Sequence, residues 1–309
     1  MNTTKKGVRR GRQRYWCKDC KTKFEITQKT VKIRRTEKLW NKYVFGKQTL
    51  RELSEQTGKS KLSIKNNFRS IKLPLKKHNP HNIHLVVDSS FFGKKDTEQW
   101  GVVVFRDALK KENLWWKFIN EEKISYYQTG RKFLEEKGYK ILSTTCDGFR
   151  GLVKTFDNYP VQFCHFHQKQ IMRRYVTKNP RLEAGIDLKE VVEMLGELPE
   201  DEFKKYLTAY INHHRDFLNE KTTDPFTGKK SYTHRRLRSA IRSLQTNLPN
   251  LFTYQKYPNL KIPVTTNSLE SHFSHIKDVV RIHRGLKRKT KEKLIKTILL
   301  NSSIVKKIS

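Results

Sequence analysis

The sequence predicts an α/β protein: a mixed sheet split by a helical insertion and preceded by a small helical domain. Three observations predict it. Strand-length hydrophobic runs crowd residues 83–167, between amphipathic stretches. Residues 172–260 drop the strand pattern for a helical period. Residues 36–73 carry three short helical faces around a glycine.

Residues 1–14 are polar and basic, and are expected to be mobile. Residues 15–35 alternate aromatic and basic side chains (Tyr15, Trp16, Phe24, Ile26) and fit short ribbon strands. In 36–73, Leu39, Tyr43 and Val44 make one apolar face, Leu50 and Leu53 a second, and Ile64, Phe68 and Ile71 a third. Thr49 and Ser60 are candidate N-caps and Gly58 a turn. Two short helices around a glycine turn are a helix-turn-helix pattern. Lys61, Lys65, Asn66 and Arg69 lie off its apolar face, free to meet a groove. A generic bundle with a solvated basic face has the same pattern.

Residues 74–82 hold two prolines and read as a linker. Strands are expected at 83–93, 98–108 and 113–122, a helix at 124–139, a strand at 140–148, a short helix, and a strand at 159–167. Three strands followed by helix–strand–helix–strand is the order of an RNase H-like sheet, here 83–171. The helical insertion is expected to be all-α over 172–260, with His213 and His214 solvated. Residues 261–309 return to the sheet domain, with Lys277, Arg281 and Arg284 as DNA-binding candidates in the block 262–285, and end in a basic helix.

The 309 residues suffice for two small domains, or one large one with an insertion. Lys and Arg number 66 against 30 Asp and Glu, a net charge of +36, which points to a polyanionic partner such as nucleic acid. Residues 1–80 hold 24 basic and 5 acidic residues, so the charge gathers toward the ends. No apolar run has the length of a membrane span. Four cysteines make no disulfide framework, and a reducing, cytoplasmic setting is expected.

Asp88 ends the run Val86-Val87-Asp88, and Asp147 ends another. On adjacent strands the two carboxylates would repel unless a cation lay between them. Mg2+ suits such hard oxygen ligands. Glu270, opening a helix after Thr265-Thr266-Asn267, is the third candidate; three carboxylates can hold two ions for an in-line phosphoryl displacement. Taken singly, each aspartate also fits a turn, and Asn267 with Glu270 fits a capping box.

"VVDSSF", "CDGFRGL", "CHFH" and "TTNSLES" together resemble the prokaryotic mutator-like DDE transposases, insertion-sequence enzymes with an RNase H-like catalytic domain. The resemblance covers about 83–285, with 59 positions from Asp88 to Asp147 and 123 from there to Glu270. It implies that Asp88, Asp147 and Glu270 are catalytic and hold two Mg2+ (or Mn2+) ions. It implies double-stranded DNA as partner, both the terminal inverted repeats of the protein's own element and target DNA. It also implies a homodimer or higher assembly on DNA in a bacterial, nucleoid-associated setting, and no covalent protein–DNA intermediate. Cys164 and His167 match the family's Cys-x-x-His, expected to support the site, with zinc as the alternative. A DNA-binding protein that has lost catalysis and a metal-dependent nuclease are the competing functions. Tyr126-Tyr127 lack the Arg/His set of a tyrosine recombinase.

Cys17 and Cys20 have the spacing of one zinc knuckle, but a structural site needs four ligands. In related proteins a first Cys-x-x-Cys lies about a dozen residues upstream, here at or before Met1. Residues 1–35 are therefore expected to be a truncated zinc-ribbon-like segment, with Zn2+ doubtful. In-frame codons for a Cys-x-x-Cys pair upstream of Met1 would bear this out; their absence would refute it.

Overall fold

The computed structural model describes residues 2–25, 28–93 and 99–301. Two compact units divide the chain: one runs up to Leu75 and includes Ile276–Leu300, and the other holds Lys76–His275.

The first unit opens with an antiparallel sheet of β1 (Thr3–Arg9), β2 (Arg12–Cys17) and β3 (Lys23–Glu25). The stretch expected to be mobile is paired instead, Thr3 opposite Cys17 and Thr4 opposite Trp16. Tyr15 stacks on Phe24, with ring centroids 5.8 Å apart. Ile26 lies outside the described residues.

The ribbon ends earlier than expected, because α1 (Gln28–Val44) begins before residue 36. It buries Trp40, Tyr43 and Val44. Thr49 caps α2 (Leu50–Thr57) reciprocally: its hydroxyl accepts the Glu52 N–H at 3.3 Å, and the Glu52 carboxylate accepts the Thr49 N–H at 2.6 Å. Gly58, at φ 65°, closes that helix in the left-handed region, where a Cβ is penalised. Ser60 caps α3 (Lys61–Ser70) through Ser63 N–H at 3.2 Å. The Phe68 ring packs 5.1 Å from those of Trp40 and Tyr43.

Residues 71–81 have no regular structure. The second half of this linker is nonetheless fastened to the second unit: Lys76 pairs with Glu112, and His81 Nε2 lies 2.9 Å from Asp107.

The second unit is built on β4 (Asn82–Phe92), β5 (Trp100–Asp107), β6 (Glu112–Ile119), α4 (Ile124–Glu136), β7 (Lys140–Cys146), α5 (Leu152–Thr155) and β8 (Val161–Phe163). The strand order is β6-β5-β4-β7-β8. β4 pairs antiparallel with β5 and parallel with β7, so the sheet is mixed and β4 is its joint. All eight residues of β5 are buried. One face of β4, with Ile83, Leu85 and Val87, shares a core with Phe105, Tyr127 and Leu134. Gly130 lets α4 approach the sheet: a Cβ there would lie 2.6 Å from Phe105 Cζ and 2.8 Å from Trp115 Cε3.

β8 is shorter than expected, and α6 (His165–Val176) starts directly after Cys164. His165 therefore lies on a helix, with its Nε2 2.7 Å from Leu251 O. Then follow α7 (Glu183–Glu193), α8 (Glu200–His213), α9 (Arg215–Asn219), β9 (Lys221–Thr223), β10 (Lys230–Tyr232), α10 (Arg235–Leu251), α11 (Thr253–Lys256) and a 3-10 turn at Pro258–Leu260.

β9 and β10 correct the all-α expectation for 172–260. They form an antiparallel hairpin in which Thr223, opposite Lys230, leads into a turn held by Asp224, whose carboxylate accepts Phe226 and Thr227 N–H at 2.9 Å. His214 is also not solvated: it is buried, with Nε2 2.7 Å from Asp187, and only His213 is exposed.

The chain ends with α12 (Asn267–Ile282) and α13 (Arg288–Leu300). Residues 276–300 belong to the first unit, not to the sheet domain as expected. There Trp40 Nε1 donates to Thr297 at 3.1 Å, His283 Nε2 lies 2.9 Å from Tyr43 O, and α13 buries Leu294, Ile295, Ile298 and Leu299. That apolar stripe is what ties the basic helix to α1. Residues 302–309 of the expected basic tail lie outside the described residues.

Gly130→Ala should cost about 1–3 kcal/mol of stability, because backbone and rings must shift to admit the methyl. Urea denaturation checks this; an unchanged midpoint would mean that α4 packs more loosely than its contacts indicate.

Candidate active site

Asp88 lies inside β4 rather than at its end, since β4 runs on to Phe92 against β5. The parallel pairing with β7, however, stops at Val86 opposite Thr145. Two residues beyond that last pair stand Asp88, still inside β4, and Asp147, the residue after β7. Side chains alternate along a strand, so Asp88 leaves the sheet on the face of Val86, and there it feels the charge of Asp147. Asp88 accepts the Ser89 N–H at 2.8 Å, and Asp147 accepts the Phe149 N–H at 3.1 Å.

Glu270 comes from the first turn of α12. Thr266 caps that turn, correcting the capping box expected of Asn267: its carbonyl accepts Leu269 and Glu270 N–H at 2.8 and 3.0 Å. The Thr266 hydroxyl lies 2.9 Å from Glu270 Oε1, so the carboxylate is held from below by its own cap. α12 docks through Leu269 and Phe273, both buried, and through a polar relay. Arg106 donates to Asn113 Oδ1 at 2.6 Å, and Asn113 Nδ2 lies 3.0 Å from His272 Nε2. Burial and the neighbouring Arg106 push His272 down to about 3, so it stays neutral and can accept that bond.

Cys164 and His167 meet this cluster from the start of α6. Cys164 Sγ accepts the Thr266 N–H at 3.2 Å, and His167 Nδ1 lies 3.8 Å from Glu270 Oε1. The ligand atoms of Cys164, His167 and Glu270 lie within 4.8 Å of one another. Cys146 sits in the hydrophobic core and joins no such group.

Electrostatics bind the cluster together. Burial pushes Asp88 up to about 7, with repulsion from Asp147 and Glu270 adding to it and His167 opposing it. Burial also raises Asp147, against the Phe149 N–H and His167. For His167, burial works toward the neutral ring, but the bond to Cys164 and the charges of Asp88 and Glu270 outweigh it and lift the ring to about 9. His167 is therefore a cation at neutral pH.

Glu122, just after β6, was not foreseen. Burial raises its carboxyl, which takes a hydrogen bond from Tyr127 and feels the charge of Asp147. The sequence offers Glu121 and Glu122 side by side; Glu121 is exposed and pairs with Lys123 at the surface.

The expected DNA-contacting residues belong to the first unit, the carboxylates to the second. Lys61, Asn66 and Arg69 are exposed on α3, and Lys65 is half-buried. Lys277, Arg281 and Arg284 are exposed, with Arg281 paired to Asp278 at 3.0 Å. At the ribbon, Cys17 is buried and Cys20 exposed, its Sγ 2.9 Å from Thr22 Oγ1. Among the described residues no further His, Cys, Asp or Glu gathers with them as a zinc ligand. A second histidine group does gather elsewhere, Asp187 with His213 and His214.

No family model matches the chain, and no curated protein does. One solved structure that matches is the simian T-cell lymphotropic virus intasome in complex with PP2A regulatory subunit B56 gamma. It is 10% identical, with 66% of this chain and 67% of that chain covered, at a TM-score of 0.21. At that score the likeness bears on neither fold nor function.

Asp88 holds its proton more tightly in the fold, at about 7, than in an unfolded chain, at about 3.9. The stability it contributes is full below the unfolded value and is lost as pH rises through 7. In chelator-treated buffer, Asp88→Asn should therefore raise Tm, and the gain should grow from pH 5 to pH 8, by on the order of a few kcal/mol. A pH-independent difference would refute the assignment of strain to this carboxylate.

Proposed function

We propose that the protein is a DDE transposase of the prokaryotic mutator-like kind. On this reading the second unit is an RNase H-like catalytic domain split by the helical insertion, and the helix-turn-helix binds the ends of its own element. One observation carries the reading: Asp88, buried in β4, and Asp147, directly after the parallel strand β7, share a single charge cluster with a glutamate from the first turn of α12.

The donor set fits a hard divalent cation, because Asp88 is buried and the charges of Asp147 and Glu270 raise its proton affinity further. Asp88, Asp147 and Glu270 would hold two Mg2+ (or Mn2+) ions. Bound there, the ions supply an activated oxygen nucleophile and charge stabilisation for in-line phosphoryl displacement. The other residues prepare the site. Thr266 fixes one Glu270 oxygen and leaves the second free. His167 offsets part of the negative charge, and the Arg106–Asn113–His272 relay sets the position of α12. Double-stranded DNA is the substrate, as element ends and as target, with at least two protomers acting on the two ends. Among the described residues no helix is long and apolar enough to cross a membrane.

A second reading of the metal rests on the Cys164, His167 and Glu270 group, whose donors also suit zinc. Elemental analysis of the purified chain separates the two: stoichiometric zinc that Cys164→Ser abolishes would favour it.

Asp88→Asn, Asp147→Asn and Glu270→Gln should each abolish Mg2+-dependent cleavage and joining of element-end DNA, by about 10²-fold or more, while end binding changes little. Retained cleavage in all three would overturn the proposal. Cleavage without strand transfer would identify a nuclease, and binding without either a DNA-binding protein only.

A further inference from the structure

A groove of about 640 Å³ runs between α6 and α10, and its wall includes Gly148, the residue after Asp147. α10 is two-sided. Leu237, Ala240, Ile241 and Leu244 are buried on one side. Ser239, Arg242, Ser243, Thr246 and Asn247 follow a spacing of three and four residues and line the groove on the other. α6 adds Arg174 and the half-buried Tyr175. No residue lining the groove is acidic.

Two arginines, a row of neutral donors and one aromatic ring are the chemistry of a single-strand track: charge and donors for the backbone, a ring face for a base. From Ser239 to Thr246 the helix rises about 10 Å, enough to follow a short run of strand backbone. The Asn247 amide is fixed by its 2.8 Å bond to Gln168 Oε1. Gln168 Nε2 itself is buried without a partner among the described residues, an unsatisfied donor adjoining the groove. We infer that this groove binds a single DNA strand, its phosphates along α10 and a base against Tyr175, leading to the carboxylates. The inference rests on the site being one that acts on DNA strands.

The test uses the full chain with chelator present, so that no cleavage occurs, and a fluorescein-labelled 12-nucleotide oligothymidylate. Anisotropy is read over a series of KCl concentrations. Arg174→Ala/Arg242→Ala should flatten the slope of log affinity against log salt by about 1.4, at roughly 0.7 for each lost phosphate contact on a single strand. Tyr175→Ala should weaken binding about tenfold with the slope unchanged. Lys132→Ala/Lys154→Ala removes two exposed charges from a different cavity and serves as control. An unchanged slope in the arginine variant, an equal change in the control, or a loss seen only with a 12-base-pair duplex would each overturn the inference. Should the arginine variant fail to fold, Thr246→Glu at an exposed helix position must weaken oligothymidylate binding at least tenfold; unchanged binding would overturn it as well. Because strand binding is read without catalysis, a chain that binds in the groove but never cuts would sink the transposase reading and leave this one standing.

Discussion

A carboxylate taken out of water, Asp88, within reach of the charges of Asp147 and Glu270 is the constraint around which the second unit is arranged. An ionised carboxylate in a protein interior is costly, and a second one beside it makes ionisation of either harder. The fold answers with backbone donors at Ser89 and Phe149 and with a cation at His167. Those measures lessen the strain without removing it, since Asp88 remains near 7.

That arrangement needs a rigid frame. β5 is buried along its full length and holds β4 in register on the side away from β7. α12 is located by apolar contacts and by the Arg106–Asn113–His272 relay, a buried polar chain that specifies one position far better than hydrophobic contact alone. Thr266 then joins α12 to α6 through the Cys164 sulfur. The third carboxylate is thus placed by three separate devices, none of which acts through the aspartates.

The strands from 83 to 163 were legible because each is a continuous apolar run between polar breaks. The caps at Thr49 and Ser60 and the turn at Gly58 were legible because their chemistry is local. Asp88, Asp147 and Glu270 could be singled out, but their gathering could not, since it depends on strand order and helix docking. What escaped was set by partners distant in sequence. The polar stretch 3–9 becomes a strand only because β2 lies beside it. His214 can be buried because Asp187 on another helix gives its Nε2 a partner at 2.7 Å. Glu122 differs from Glu121 only in which way the chain turns after β6, and α13 reads as a basic tail until its apolar stripe meets α1. The capping of α12 by Thr266 rather than Asn267 shows how a one-residue shift changes which side chain holds Glu270.

The cysteines bear on handling the protein at the bench. Cys146 and Cys164 are 0% and 1% exposed, and Cys17 lies at 9%. Cys20 alone stands open to solvent, with its thiol lowered toward the reactive thiolate by the hydrogen bonds of Thr22 and Cys17. A maleimide dye or spin label added to the native chain would thus settle on the ribbon turn first. The natural sequence supplies a single reporting position on the first unit, remote in sequence from every carboxylate of the site, with no cysteine to be engineered away.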